Sequence, residues 1–155
     1  MAKILSQSEQ KAQKAEKDRK RNKLNGQIEN VQNQINAYDN EISSLEFKLA
    51  SQRAKKILFD GKCSDLDTEK AAKAVGVEIS VQYMTNLNYA LGYTEMMSDL
   101  LSGSTGQAYQ NYQQETMQYM QMEIDENQAR LEELQRVRSN SVAAADELEY
   151  QLARI

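Results

Sequence analysis

The chain has 155 residues, a length typical of one domain, and a formal net charge of −4 that by itself implies no special partner. It contains no histidine, tryptophan or proline, and Cys63 is its single cysteine. Imidazole catalysis, histidine metal ligands and an internal disulfide are therefore excluded, whereas long uninterrupted helices are allowed.

Residues 1–22 predict a basic N-terminal arm. Over residues 1–23, eight Lys or Arg residues outnumber three acids, which gives this stretch a net charge of +5. The residues of this stretch are good helix formers, but the stretch has no apolar stripe. We therefore expect a frayed or conditional extension of the first helix. The stretch lacks the apolar core of a signal peptide, so we expect synthesis in the cytoplasm without a cleaved leader, with export by a leaderless route left open. The basic arm is defined by Lys11, Lys14, Lys17, Arg19, Lys20 and Arg21.

Residues 23–60 predict the first long helix. Its apolar residues alternate steps of four and three from Leu24 to Leu49, the spacing of a coiled-coil stripe that another helix must cover, and the polar Gln52 and Lys56 end that stripe. Gly61 is expected to end the helix as a left-handed cap. Cys63 is then expected as a small residue in a turn, with a reactive or intermolecular thiol as the alternative.

Residues 61–106 predict a helical head segment. We expect a short helix over Thr68–Val75, a break at Gly76, an apolar helix over Val77–Leu101 and a serine- and glycine-rich loop after it. Six of the eight tyrosines and six of the seven methionines lie between residues 53 and 123, either as an ordinary helical core or as a contact surface. The candidate partner contacts are Tyr83, Met84, Tyr89, Tyr93, Met96, Met97, Tyr109 and Tyr112, together with Ile155 at the other end.

Residues 107–155 predict the second long helix, which carries the same stripe spacing from Met117 to Ile155. Its first part is acidic, because residues 107–135 hold six acids and one Arg, a net charge of −5. The acidic part and the basic arm are either two solvated faces or complementary surfaces that meet between subunits. The six acids are Glu115, Glu123, Asp125, Glu126, Glu132 and Glu133.

The two stripes predict an all-α fold, an elongated antiparallel coiled-coil hairpin of two long terminal helices with a small helical head between them. One register matches the apolar layers best and sets Tyr38 opposite Arg138, a ring–guanidinium contact. Asn127 and Ser141 would be polar layers that penalise other registers. Pairing within one chain or between chains is left open. The predicted hairpin core comprises Leu24, Ile28, Val31, Ile35, Ile42, Leu45, Leu49, Ile124, Leu131, Leu134, Leu148 and Leu152.

The sequence carries no motif for a reaction. It has no phosphate-binding glycine loop, no dinucleotide fingerprint, and no zinc or calcium spacing, so we expect neither an enzyme nor a metal or cofactor. No apolar run approaches the roughly 18 residues of a membrane span. The basic arm lacks interleaved aromatic residues and the chain as a whole is acidic, which disfavours nucleic acid as a partner. The expected partner is protein, either further copies of the chain or a larger assembly.

The layout resembles that of the helical-hairpin subunits exported by type III and flagellar-type secretion machines. The shared features are an N-terminus rich in Ser, Gln and Lys, two long terminal helices that pair, a shorter middle segment, and an apolar C-terminus with Leu148, Leu152 and Ile155. The resemblance implies that the paired helices pack into a tube while the middle segment faces outward. It favours a non-enzymatic structural protein that self-assembles into a filament or a secretion-related assembly.

Two other functions fit the same helices. A cytosolic coiled-coil adaptor or chaperone would present the head, rich in Tyr and Met, to a protein partner. A structural component of a virus or another large particle would also be built from such helices. Self-association separates the first two functions, because a filament subunit polymerises and an adaptor is a stable monomer or small oligomer.

Overall fold

Three helices make up the described part of the chain in this computed structural model. The backbone is described for residues 7–83 and 88–155, and the side chains for residues 8–77, 92 and 94–155. The helices are α1 (Gln7–Tyr83), α2 (Asn88–Ser102) and α3 (Ser104–Ala153). The prediction of an all-α hairpin, with two long helices and a short helix between them, is confirmed.

Helix α1 continues far beyond its predicted end at residue 60. It holds 77 residues without a break, so the predicted cap at Gly61, the separate helix over Thr68–Val75 and the break at Gly76 are wrong. Neither glycine has a positive φ. A glycine costs a helix about 1 kcal/mol relative to Ala, which the packing of neighbouring turns outweighs. Residues 7–22 of the basic arm belong to the same helix.

The loop predicted after residue 101 is reduced to a single residue, Gly103. Its N–H donates to the carbonyl oxygens of Ser98 and Asp99 at 3.2 and 3.0 Å, and its own carbonyl accepts from Gln107 N at 3.0 Å. The bond from Gln107 N to the Gly103 carbonyl is the first helical hydrogen bond of α3. The helix therefore begins at Ser104 rather than at the predicted Gln107.

The carboxylate of Asp99 caps the first turn of α3. One oxygen accepts from Ser104 N at 3.0 Å and from Ser104 Oγ at 3.3 Å, and the other accepts from Thr105 Oγ1 at 2.8 Å. A carboxylate in this place satisfies free N–H groups at the helix start. The hydrogen bonds, that from Thr105 above all, lower the pKa of Asp99. Gly103 makes room for this cap, because a Cβ at that position would lie 2.7 Å from Asp99 Cα.

The chain divides into two compact units, each containing a segment of α1 and a segment of α3. Unit 1 combines α1 up to Phe47 with Gln128–Ile155, and unit 2 comprises Lys48–Asn127, including α2. We define the seam of a unit as the stripe of α1 and α3 residues that face each other within that unit.

Unit 1 is an antiparallel helix pair with an apolar seam. Ile35, Leu45, Leu131 and Ala145 are buried. Ala145 belongs to the α3 stripe of the predicted pairing, although it was not among the predicted core residues. The other predicted core residues of this unit are half-buried, as expected for two helices without a third covering them: Leu24, Ile28, Val31, Ile42, Leu134, Leu148 and Leu152.

Two ion pairs join α1 and α3 across the seam of unit 1 and indicate which residues of the two helices lie opposite each other. Arg130 Nη2 lies 2.5 Å from Glu41 Oε1. Arg138 donates through Nε and Nη2 to the two carboxylate oxygens of Asp39, the residue that follows the predicted partner Tyr38. The Arg138–Asp39 pair lies one residue from the predicted pairing, whereas Arg130 reaches a carboxylate five residues from the position that the same register sets opposite it. A two-point bond to a carboxylate is stronger than an exposed ring–guanidinium contact, and this bond raises the pKa of Arg138.

In unit 2, the α1 stripe continues instead of ending after Leu49. Leu49 is 2 % exposed and shares the seam with Ile124, which is 4 % exposed. Gln52 and Lys56 hold the next two stripe positions and are half-buried. The spacing of three or four residues then continues through further half-buried side chains: Phe59, Cys63, Leu66, Lys70, Ala74 and Val77.

Polar side chains bond across the seam of unit 2. Lys56 Nζ donates to Gln121 Oε1 at 2.7 Å. Asn127 Nδ2 donates to Gln52 Oε1 at 3.1 Å, which agrees with the predicted polar layer at Asn127. The second predicted layer, Ser141 in unit 1, instead donates to the carbonyl of Val137 in its own helix at 3.1 Å.

Candidate interaction surfaces

An exposed tyrosine face lies on α3 in unit 2. We define it as Tyr112, Tyr119 and Met122, whose side chains are 69 %, 64 % and 59 % exposed. Steps of seven and three residues put all three on one side of the helix. This side lies away from the seam, which passes through Gln113 and Ile124. Tyr112 was predicted as a partner contact, whereas Tyr119 and Met122 belonged only to the wider Tyr- and Met-rich set, predicted as either a helical core or a contact surface.

A second exposed apolar pair lies on α1 in the same unit. Ile57 and Leu58 are 75 % and 65 % exposed. They directly follow Lys56, which is in the seam, and therefore point off the seam. Their exposure could have been predicted from the sequence, because Ile57 and Leu58 are large apolar residues at positions outside the stripe. Sequence reasoning missed them because it placed this part of the chain at the end of a helix.

The other predicted partner contacts are spread over both units. On α2, Met96 is exposed and Met97 is half-buried. Tyr109 of α3 is 43 % exposed, and Ile155 in unit 1 is half-buried. Four predicted contacts lie outside the described side chains: Tyr83, Met84, Tyr89 and Tyr93.

The basic arm is an exposed helical segment of unit 1. Its stripe positions, which hold Ile or Leu farther along α1, hold Lys14, Lys17 and Arg21, and all of them are exposed. Lys17 Nζ donates to the carbonyl oxygen of Ile155 at 3.2 Å. Lys20 pairs with Glu16 at 2.9 Å, and its hydrogen bond lowers the pKa of Glu16. In the basic arm, positively charged residues thus occupy the stripe positions that make apolar contacts with α3 farther along α1.

The acidic residues of α3 are exposed on its surface. Glu133 is paired with Arg136 of the next turn at 2.7 Å, and this hydrogen bond lowers the pKa of Glu133. In unit 2, Asp125 accepts from Gln121 Nε2 at 2.7 Å and Glu123 accepts from Gln52 Nε2 at 3.4 Å. These contacts leave the carboxylates at the surface, where a basic partner can reach them.

An open groove with a volume of about 520 Å³ lies beside Cys63 in unit 2. Cys63 is half-buried within α1, so its predicted place in a turn is wrong. Gln113, on the α3 side of the groove, is 7 % exposed, and its Nε2 is shielded from solvent and has no hydrogen-bond partner among the described residues. The lining comprises Asp60, Cys63 and Asp67 from α1 and Gln110, Gln113, Gln114, Met117 and Gln118 from α3.

Lys70 is a buried cation in the same unit. Its Nζ is shielded from solvent, has no hydrogen-bond partner among the described residues, and lies 4.5 Å from the centroid of the Tyr109 ring. The ring face supplies the negative potential that a buried ammonium needs. Tyr109, predicted to contact a partner, therefore has a role within the chain.

The described side chains form no group of three or more Cys, Asp or Glu residues that could hold a metal ion. None of the described helices is long and apolar enough to cross a membrane. In comparisons with known proteins, the chain matches no family model, no curated protein and no solved structure. The layout resemblance to secretion-filament subunits therefore stays a prediction.

Proposed function

We propose that this protein is a non-enzymatic structural subunit whose paired helices pack laterally against further copies to build a filament or a secretion-related assembly. The observation that carries the proposal is the set of large apolar side chains exposed in unit 2. The tyrosine face of α3, with Ile57 and Leu58 of α1, keeps more than half of each side chain in contact with water.

These side chains are suited to packing against other helices. Tyr and Met are enriched at protein interfaces, because Tyr adds a polar tip to a large apolar ring and Met adapts its shape to a partner. Burying one such side chain contributes roughly 1.5–3 kcal/mol, so a few of them across one contact outweigh much of the cost of association. In an assembly, neighbouring copies of the chain would bury these exposed apolar side chains.

The charges of α1 and α3 support the same proposal. The basic arm carries +5 over residues 1–23, and residues 107–135 carry −5. Both sets of side chains are exposed where described. Opposite charges on separate surfaces steer copies toward each other and fix their register, while apolar contacts supply most of the affinity.

The test is electron microscopy of the purified full-length protein, with light scattering over a range of concentrations. We expect ordered fibres or growing oligomers. The triple change Tyr112→Ser, Tyr119→Ser and Met122→Ser should abolish them while helix content stays unchanged. Tyr150→Ser is the matched control, because Tyr150 is 56 % exposed and lies outside the tyrosine face. A monodisperse small species at every concentration would overturn the proposal.

That opposite result would favour the adaptor or chaperone function. The observation on its side is Met96, a flexible apolar side chain that is 56 % exposed on the short helix α2. An adaptor would keep this surface free in a stable monomer or small oligomer. The microscopy and scattering experiment therefore decides between the two functions.

A further inference from the structure

We propose that α1 of unit 2 binds the same segment of a second copy of the chain, antiparallel, through a stripe on the side away from the seam. The pair deepens the proposed self-assembly, on which it rests, by naming one contact between two copies. The stripe consists of exposed residues that alternate steps of three and four, the spacing of a stripe that another helix covers. We define this outer stripe as Leu58, Gly61, Asp65, Thr68, Ala72 and Val75.

The outer stripe lies opposite the seam on the same helix. Its first five residues each lie two positions after a seam residue, as Leu58 follows Lys56, and two positions correspond to about 200° around a helix. Leu58 is 65 % exposed, Val75 is 56 % exposed, and Ile57 beside the stripe is 75 % exposed. Nothing lies within 4 Å of a Cβ added at Gly61. The described part of the chain therefore leaves this apolar face uncovered, although the outer side of a helix pair is ordinarily polar.

The outer stripe is self-complementary when two copies run antiparallel. A two-fold axis repeats each contact, so three kinds of contact give six layers. Apolar layers lie at both ends and the polar layer lies at the centre. There the Thr68 hydroxyl, which bonds to the Ser64 carbonyl at 2.9 Å, can turn to donate to the Asp65 carboxylate of the second copy. With the first copy written before the second, the contacts are Leu58–Val75, Gly61–Ala72 and Asp65–Thr68.

Charge complementarity selects a second copy in this one register. Lys62 and Glu69 are exposed on the same flank of the outer stripe. Equivalent flanks face each other in an antiparallel pair, so Lys62 of each copy meets Glu69 of the other. A slip of one heptad would bring Lys62 against Lys62 or Glu69 against Glu69, and a parallel pair would bring Asp65 against Asp65. Like charges in these places disfavour the alternatives.

The apolar layers supply the affinity and the ion pairs fix the register. An exposed ion pair contributes little to stability, so neutralising Lys62 should change the affinity little. The other flank of the outer stripe holds Ile57, Ser64 and Ala71 and carries no charge. Its residues add buried area without repulsion between the copies.

The first test uses the full-length protein with the triple Ser change in the tyrosine face, because this background should not form fibres. We expect sedimentation equilibrium to show monomers and dimers whose proportions depend on concentration. Leu58→Asp and Val75→Asp should each raise the dissociation constant about tenfold or more, because each puts a carboxylate into an apolar layer. Leu100→Asp is the matched control, since Leu100 is 46 % exposed on α2 and lies outside the outer stripe. Circular dichroism checks that helix content is unchanged.

A charge reversal in the same background tests the register. Lys62→Glu should raise the dissociation constant about fivefold, because it puts two carboxylates opposite each other in both flanking contacts. Adding Glu69→Lys restores opposite charges and should restore the affinity. A double variant as weak as Lys62→Glu alone would overturn the register.

A spin label tests the direction of the pair. The label is attached through Lys55→Cys in the background of Cys63→Ser, and pulsed electron paramagnetic resonance measures the distance between the two copies. In the proposed register the two labelled positions lie 23 residues apart along the helices, or about 35 Å at about 1.5 Å per residue. A parallel pair would put them at the same level, about 10 Å apart on the backbone, and would overturn the proposal.

The pair and the proposed filament are measured separately. Monomers of the triple Ser variant at every concentration, or equal weakening by Leu100→Asp and Leu58→Asp, would overturn the pair. Fibres of the unmodified protein without dimers of the triple Ser variant would overturn the pair alone. Dimers without fibres would support the pair and overturn the filament.

Discussion

Asn127 and Gln52 form a polar layer inside the seam of unit 2, with Asn127 Nδ2 donating to Gln52 Oε1 at 3.1 Å. Lys48 Nζ completes the layer by donating to Asn127 Oδ1 at 3.2 Å. Within the same seam, Leu49 is the most deeply buried apolar residue among those described. A polar pair beside such a residue lowers the stability of the helix pair. It also disfavours other helix registers, because these would leave the side-chain amides of Asn127 and Gln52 without partners.

Replacing Asn127 by Leu should therefore raise stability and lower specificity. We expect the free energy of unfolding to rise by about 1 kcal/mol, because apolar area is buried and the half-buried Gln52 can still bond to water. In the background of the triple change Tyr112→Ser, Tyr119→Ser and Met122→Ser, which should not assemble into fibres, size-exclusion chromatography with light scattering should then show more than one oligomeric species. Thermal unfolding followed by circular dichroism measures the first effect.

Ser141→Leu is the control for this change. Its hydroxyl bonds within its own helix, so the substitution should raise stability without adding species. If Asn127→Leu lowered the melting temperature and left a single species, the polar layer would have no role in specificity.

The core of unit 2 offers a second prediction. Leu49→Ala should lower the free energy of unfolding by about 2–4 kcal/mol, because it leaves a cavity at a residue that is 2 % exposed. Leu58→Ala is the matched control, since the same residue type on the same helix is 65 % exposed and, in protein diluted below assembly, should change stability by less than about 0.5 kcal/mol. Urea unfolding measures both. Equal losses for the two variants would contradict the difference in burial between Leu49 and Leu58.

Replacing glycine by alanine should have opposite effects on stability inside α1 and at the junction between α2 and α3. Gly61→Ala and Gly76→Ala should each stabilise α1 by about 0.5–1 kcal/mol, because both lie inside the helix and nothing lies within 4 Å of an added Cβ. Gly103→Ala should destabilise the junction, because its Cβ would lie 2.7 Å from Asp99 Cα. Thermal unfolding of the three variants tests the prediction. A stabilising Gly103→Ala would show that the junction is not closely packed.

The cap at Asp99 predicts a dependence on pH. Hydrogen bonds from Thr105 and Ser104 lower the pKa of Asp99 below its ordinary value of 3.8. Its contribution to stability is therefore fully present above pH 3.8 and is lost as the pH falls through the lower pKa of the folded state. Asp99→Ala should lower the melting temperature at neutral pH, and the gap to the unmodified protein should close in strong acid.

Asp99→Asn is the control for titration, because Asn keeps one capping acceptor without an ionisable carboxylate. Glu16 and Glu133, whose pKa values are also lowered, titrate in every variant and cancel in the comparison. A gap between Asp99→Ala and the unmodified protein that stayed constant down to strong acid would argue against the carboxylate cap.

The basic arm predicts salt-sensitive assembly. Changing its six Lys and Arg residues to Gln should weaken self-association and remove its dependence on salt, because the Debye length falls from about 10 Å at 0.1 M to about 3 Å at 1 M. Removing residues 1–20 should have the same effect. Light scattering at both ionic strengths measures it. The triple change Lys55→Gln, Lys62→Gln and Lys73→Gln removes exposed charges elsewhere on α1 and should leave the salt dependence intact.

The stripe spacing predicted how α1 and α3 pair in unit 1, because an antiparallel pair puts successive stripe residues opposite each other. Leu45 and Leu131, set opposite each other by the best register, are both buried. The interruption at Gln52 and Lys56 could not be interpreted in the same way. A polar stripe residue is either the end of a seam or a layer within it, and only its partners on the other helix decide which.

The sequence alone therefore determined that the chain is helical and which apolar residues line the seam of unit 1, because local periodicity encodes one helix face. The tertiary structure decided where helices end and what polar residues do. Gly61 lies inside α1 because packing outweighs its low propensity, and Gln52 pairs with Asn127 because the opposing helix brings an amide within reach. Gln113 of α3 lies near Cys63 although the two are 50 positions apart in the chain, and no local pattern predicts that they are neighbours.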